Sequence, residues 1–379
     1  MRILLVGEYS RLHNSLKEGL LELGHEVTLV GNGDGFKNFP ADLSYEPVWS
    51  KSKVGHILRQ GIAKTTGFDL AKFEHGIRFR TMLRKLADFD VVQLINERPI
   101  QTTAQLELKL LKQLTRQNKT LFLLSCGFDY LGVKYLFENT HPKNILIPLR
   151  ENPKLRPRFD YVLEYVTTAH KKIHDFIYSN CKGIIASDID YVLPLHNNPK
   201  FRGLIPNPVN VAKLGYQLPT LSAKTVIFLG INEWNYHQKG INYFEKALAV
   251  IEQKYLQKVE IIITRNVPYP DYINSYNRCH ILLDQVFAYD QGYNALEAMA
   301  KGKVVFTGAE KEFTDHYGLS ARVAINAVPD VDMLVSELSA LIENPDEILA
   351  ISARARSFVE TQHDHVRIAQ RYLAVWATR

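Results

Sequence analysis

Short apolar runs recur along the first half of the chain, separated by longer stretches with helical spacing. Residues 3–6 read as a first strand, 10–23 as a helix stopped at Gly24, and 24–30 as a second strand. Further strands are expected at 91–95, 121–124 and 183–187, each ending in polar or glycine residues. Strands alternating with helices predict an α/β fold with a parallel sheet wrapped by helices. In such sheets ligands bind beyond the carboxyl ends of the strands. That singles out three loops: Gly7-Glu8-Tyr9-Ser10-Arg11, Asn96-Glu97-Arg98 and Ser125-Cys126-Gly127-Phe128-Asp129.

The alternation then breaks. Residues 196–202 and 205–210 are turn-rich and stiffened by proline, as an interdomain linker should be. Beyond them the pattern restarts, with strands expected at 225–229, 259–263, 281–283 and 304–306 and a helix at 243–253. The last helices are expected at 331–342, at 346–361 and from 363 to the end. The chain therefore reads as two doubly wound domains of similar architecture.

The richest stretch runs from Tyr289 to Gly308. Gly292 frees the backbone to approach a ligand. Residues 295–300 are strong helix formers with Glu297 expected in the opening turn, Gly302 closes the helix, and 304–306 is a buried parallel strand. A helix N-terminus behind a glycine loop offers free N–H groups and a positive dipole end, which suits a phosphate. A carboxylate on that helix suits ribose hydroxyls, which can donate to it. The pattern suggests a nucleotide-diphosphate site.

Composition narrows the setting. The chain has 379 residues, 46% hydrophobic and 23% charged, the balance of a globular protein too long for one ordinary core. Cys126, Cys181 and Cys279 are widely spaced and match no metal pattern, which favours buried thiols in a reducing, cytoplasmic setting; Cys126 reads as packing. The chain opens on a strand with no signal-peptide pattern, and no apolar run approaches the roughly 18 residues of a membrane span. The net charge of +6 is unevenly spread: residues 51–85 hold nine Lys or Arg against Asp69 and Glu74, interleaved with aromatic residues. Such a segment is either a solvated helical face or a contact with anionic lipid, placing the protein in the cytoplasm or at the inner face of the plasma membrane. No nucleic-acid reading module accompanies the charge.

Two such domains facing a cleft describe the GT-B architecture, and several residues resemble the family 4 retaining glycosyltransferases. The second domain opens with Phe228-Leu229-Gly230-Ile231-Asn232 and, further on, Lys239-Gly240. This is similar to the family's strand ending at a glycine and its Lys-Gly pair before a helix. The run from Asp284-Gln285 through Gly292 to Glu297 and Lys301-Gly302-Lys303 looks like the bacterial surface-polysaccharide branch. The resemblance implies a C-terminal helix crossing back to the first domain, with segments 1–205 (acceptor side), 206–361 (nucleotide-sugar side) and 362–379.

It also implies that Lys239 binds the donor diphosphate and assists catalysis, that Gly292 lies beside the phosphates, and that Glu297 grips the ribose. The rest of the donor site is expected from Gly230, Asn232, Tyr289, Asp290, Gln291, Tyr293 and Asn294. Glu8, Arg11, His13, Asn14 and Asp129 are expected to face the acceptor. Where family members often carry a histidine after the middle strand, this chain has none, and Gln93, Asn96 or Glu97 must serve, with Asn96 and Glu97 expected as catalytic groups. Two departures stand out: Tyr289 occupies the place of the family's first Glu, and the usual arginine after Gly230 is absent, leaving Arg265 as its replacement. Glu297 also reads as an ordinary helix-dipole carboxylate and Lys239 as a solvated lysine.

The activity implied is retaining, front-face transfer of a sugar from a nucleotide diphosphate sugar to a hydroxyl on a glycan, lipid-linked or small-molecule acceptor. It would serve polysaccharide or glycoconjugate synthesis without a metal or other cofactor. The alternatives are a nucleotide-sugar epimerase, or a degenerate protein that binds a glycan or partner without catalysis.

Overall fold

The computed structural model describes residues 1–35, 38–66, 68–220 and 224–378. Gly67 of the basic segment 51–85, residues 221–223 of the second segment and Arg379 of the last one lie outside the described residues.

The first sheet is built from β1 (Arg2–Val6), β2 (Glu26–Gly31), β3 (Leu43–Ser44), β4 (Val91–Leu94), β5 (Thr120–Ser125), β6 (Gly183–Ala186) and β7 (Phe201–Leu204), in the order β3-β2-β1-β4-β5-β6-β7. The second holds β8 (Thr225–Ile231), β9 (Val259–Arg265), β10 (Ile281–Leu283), β11 (Val304–Thr307) and β12 (Ile325–Asn326), in the order β12-β11-β10-β8-β9. All neighbours in both sheets pair in parallel. Ile3, Leu4, Leu5 and Val6 are buried without remainder. A parallel strand covered on both faces has no polar side to present, so its sequence reads as a continuous apolar run.

Strand order fixes where a ligand can sit. From β1 the chain winds outward to β2 and β3, then reverses to β4; from β8 it winds to β9, then reverses to β10. Each reversal leaves a crevice at the carboxyl ends of the two strands flanking it. The loops after β1 and β4 therefore face one crevice, and those after β8 and β10 face the other.

Three short edge strands, β3, β7 and β12, escape a reading by apolar runs; β7 begins at Phe201, inside the stretch expected to be linker. The start of the motif helix differs too. It starts at Tyr293, two residues earlier than expected, so Glu297 lies in its second turn and not its opening turn. The apolar Tyr293 ring is buried in the core and draws the helix start back with it.

The last helix, His365–Ala377, crosses back and packs on Leu12–Glu22 of the first half. Trp376 Nε1 donates to Gln93 Oε1 at 3.0 Å, tying the C-terminus to β4. Both chain crossings between the halves run side by side, since the Val209 N–H donates to the His363 carbonyl at 2.7 Å and Val209 bridges Asp364.

Candidate functional site

A cavity of about 330 Å³ opens between the carboxyl ends of the two sheets. Phe128, Tyr161, Asp188 and Asp190 line it from the N-terminal half, and Lys239, Gln285, Tyr289, Asp290 and Gly292 from the C-terminal half.

Lys239 sits on the loop after β8, and Gly240 follows at φ +65°, a left-handed conformation that caps the helix Ile241–Lys254. A Cβ at Gly240 would also lie 2.2 Å from Val286, so glycine is needed there on two counts. The Lys239 Nζ donates to Asp284 Oδ1 at 2.8 Å. Asp284, at the end of β10, also accepts from Asn294 Nδ2 (3.2 Å) and from the Thr307 hydroxyl (3.3 Å). An ammonium group has three donors, so the Asp284 bond fixes Lys239 against the cavity wall and leaves capacity for a ligand.

The helix Tyr293–Ala300 begins at the cavity with Gly292 as its N-cap and no side chain capping it. A Cβ at Gly292 would meet nothing nearer than 3.9 Å, so the approach to those helix N–H groups is open. Glu297 is half-buried, and its charge, after burial itself, pushes up the phenols of Tyr269, Tyr276 and Tyr293. Arg11 of the first half acts on Tyr269 and Tyr293 in the opposite sense, which places it across the cleft from Glu297.

The rest of the loop is held tightly. The Tyr289 ring tilts against His141 of the first half at 4.8 Å between centroids. Asp290 is buried, its carboxyl accepting from the N–H of Gln291 (2.6 Å) and of Ile189 (3.3 Å). Gln291 Nε2 donates to the Gly308 carbonyl at 2.7 Å. The Tyr293 hydroxyl turns away to Ser15 Oγ (2.5 Å) and the Pro208 carbonyl (2.9 Å), and Asn294 Oδ1 accepts from the Tyr272 hydroxyl at 3.0 Å.

Across the cleft, the Glu8 carboxylate caps the helix Leu12–Glu22, accepting from the His13 and Asn14 N–H groups and from Asn14 Nδ2 at 2.7 Å. Burial dominates and raises Glu8 to about 8. The His13 ring is fully buried against the Gly7 carbonyl (2.7 Å), and burial lowers its pKa to about 3, so it is neutral. Arg11 precedes this helix at φ +74° and pairs with Glu18 at 3.4 Å. Asp129 caps the helix Tyr130–Glu138, accepting from the Gly132 N–H and from the Ser125 hydroxyl, both at 2.6 Å.

Asn96 Nδ2 donates to the Tyr9 hydroxyl at 3.2 Å. Glu97 is fully buried, with His170 Nε2 on one oxygen and His174 Nδ1 on the other, each at 2.6 Å, and the Tyr130 N–H at 3.0 Å. Burial would raise its pKa, but the two histidines outweigh that and hold it down to about 2.

Of the sequence-expected residues, Lys239, Tyr289, Asp290 and Gly292 line the cavity and the rest stand outside its lining. Arg265 is exposed and turned to Glu233 and Glu245. Asn232 caps a short turn through the Trp234 N–H, and a Cβ at Gly230 would strike the Tyr272 ring at 2.4 Å. Conversely, the structure brings in groups that sequence reading gave no place in the site: Asp284, Lys143, the Asp188–Asp190 pair, and Tyr161, whose ring tilts against Trp234 of the other half at 5.2 Å. The His170–His174 spacing of one helical turn was a visible signal; Lys143 and Tyr161 carried none. Among the described residues no three His, Cys, Asp or Glu side chains converge to hold a metal ion, and no helix is long and apolar enough to cross a membrane.

Residues 224–374 match a family whose description is "Glycosyl transferase-like". Over the whole chain the structure is similar to a sucrose-phosphate synthase from Thermosynechococcus elongatus (TM-score 0.60, 14% identity, covering 99% of this chain and 98% of that one). It is similar to HepE from Anabaena in complex with UDP and glucose (TM-score 0.59, 12% identity, 100% of both chains). It is also similar to a putative UDP-N-acetylglucosamine 2-epimerase from Listeria monocytogenes (TM-score 0.52, 12% identity, 98% and 94%). No curated protein matches the sequence significantly. The fold is GT-B, and the expected resemblance to glycosyltransferases extends from individual motifs to the C-terminal half and to the architecture of the whole chain.

Proposed function

We propose that this protein transfers a sugar, with retention, from a nucleoside diphosphate sugar to an acceptor hydroxyl. One observation carries the reading. Lys239 and the uncapped N-terminus of Tyr293–Ala300 meet at the same cavity, with Glu297 on that same helix. A helix rises about 1.5 Å per residue, so Glu297 lies roughly 6 to 7 Å beyond the first N–H groups. That offset suits a diphosphate at the helix start and ribose hydroxyls at the carboxylate.

In this reading the leaving diphosphate is stabilised by Lys239, by loop N–H groups and by the positive helix end, where charge develops during transfer. Segment 206–361 holds the donor, segment 1–205 presents the acceptor, and segment 362–379 ties the two together. The acceptor hydroxyl approaches from the loops of Glu8, Asn96 and Asp129, and the setting is polysaccharide or glycoconjugate synthesis. The charge expected from an arginine after Gly230 is left to Lys239 alone.

The protein works at the inner membrane face in this proposal. Lys53–Thr66 turns Val54 (67% exposed), Ile57 (71%) and Leu58 (46%) to solvent along one stripe, beside the exposed Trp49 and flanked by Lys53 and Lys64. Glu74 fixes the preceding turn through the N–H groups of Val48, Trp49 and Ser50, which holds the indole outward. An apolar stripe bordered by lysines fits an anionic lipid surface.

Calorimetry with UDP, GDP, ADP and TDP, with and without magnesium, tests the donor site; UDP comes first because the similar HepE was solved with it. One diphosphate should bind, and Glu297→Ala should weaken it at least tenfold, about 1.4 kcal/mol. Binding of none of them would leave the non-catalytic reading in front. The likeness to a putative epimerase gives that activity a separate arm: product formed from a nucleotide sugar with no acceptor present would replace transfer by epimerisation.

A further inference from the structure

We propose that Asp190 is a positioning residue for the loop Tyr289–Gly292, and that with Asp188 and Asp290 it forms a latch between the two halves that closes only with a proton on the cluster. The halves interlock through reciprocal carboxylate–amide bonds. Asp190, after β6, accepts from the Tyr289 N–H (3.0 Å) and the Asp290 N–H (3.3 Å) of the opposite half. Asp290 answers by accepting from the Ile189 N–H at 3.3 Å. Asp188 is the neighbour on the other side of Ile189; its Oδ1 is buried without a partner, and its side chain caps no helix.

Three carboxyl groups thus line one wall of the cavity at the cleft. Lys143 is a cation that acts on Asp190, and it is already committed to Glu310 (3.2 Å), Asn326 Oδ1 (3.0 Å) and the Ala327 carbonyl. Four further weak acids face the cluster, Cys126 and Tyr191 from the first half and Tyr289 and Tyr317 from the second, and His141 lies against the Tyr289 ring. All four are held neutral by pKa values raised above their usual range, chiefly by burial, so none of them compensates the charge. Like charges in a common low-dielectric site cannot all ionise.

The sign follows from linkage. Burial first, then mutual repulsion, raises Asp188 well above its usual value; Asp190 is raised to about 6 and Asp290 to about 7, mainly by burial. In an open protein these groups return to water and to a pKa of about 4. Closure therefore takes up protons. Its full strength is present below about pH 4, weakens as pH rises through roughly 6 to 7, and is lost above that.

Because Asp190 holds the same loop N–H groups that border Gly292 and the cavity, the latch sets the loop's shape as well as the closure. That the loop is a donor loop rests on the transferase reading; the latch itself does not. The test therefore has two readouts, the protein's own dimensions by small-angle scattering and the affinity for UDP, each followed from roughly pH 5 to roughly pH 9.

The wild-type radius should increase as pH rises past about 7. Asp188→Asn, which removes one charge and keeps a hydrogen-bond acceptor, should move the expansion to higher pH, because Asp190 and Asp290 still titrate. Asp190→Ala, which removes the latch, should be expanded throughout, with thermal melts showing both variants folded. A wild-type radius that is flat with pH, or variants that follow the wild-type curve, overturns the proposal. A pH-dependent radius without binding of UDP keeps the latch and removes the donor reading.

Discussion

Glu97 shows how a single residue's surroundings redirect its chemistry. A carboxylate at the end of a central strand in an α/β sheet reads as a catalytic group, and the structure gives it two histidine partners and no exposed surface. Removing one member of a buried charged network leaves the others unpaired, which costs about 3 to 5 kcal/mol. Glu97→Gln should lower the urea midpoint accordingly. Because the Glu97 pKa is depressed to about 2, its contribution is present above about pH 4.5 and vanishes as pH falls toward 2. Loss of activity at full stability would instead make it a catalytic group in contact with substrate. Lys239 and Glu297 differ in kind, since both keep part of their surface exposed.

At the scale of elements, the exposed stripe on Lys53–Thr66 is the clearest unresolved surface, because large apolar side chains at one-turn spacing normally face a core. The next helix, Leu70–Met82, spends its buried face on Ala71, Gly76 and Phe79 and does not cover the stripe. Flotation with anionic vesicles at low salt should carry the wild type upward, and Ile57→Glu should reduce the floated fraction severalfold. Equal flotation of both, or none by the wild type, removes the lipid contact. The run 225–229 was legible because a strand covered on both faces is apolar, whereas 259–263 was legible by its isoleucines alone, since β9 is an edge strand with Ile263 48% exposed. The two-residue strands β3 and β12 were not, because an edge that short owes its pairing to its neighbour.

The whole molecule is held together by the return of the C-terminal helix. Gly19 lets it approach so closely that a Cβ there would lie 2.2 Å from the His365 carbonyl. Two effects oppose each other in Gly19→Ala. Alanine improves helix propensity by about 1 kcal/mol, while overpacking a tight contact costs about 1 to 3 kcal/mol. Since the obstacle is backbone and not a flexible side chain, the second should win and the unfolding midpoint should fall; a rise would mean the helices are not in contact in solution.

Sequence alone determined two parallel α/β halves, their central strands and the motif from Tyr289 to Gly308, because these rest on local periodicity and on glycines whose backbone demands are local. It also put Gly292 and Glu297 at one helix, while the gathering of Lys239 with them was implied by the family resemblance. Only the tertiary structure decided that Arg265 faces Glu233 and Glu245, that Asp284 holds Lys239, and that Asp190 reaches across to Tyr289. Each of those contacts joins residues more than thirty positions apart or from separate halves, except Arg265 with Glu245, twenty apart. Which partner a charged side chain takes depends on how two sheets stack, and no pattern along the chain carries that information.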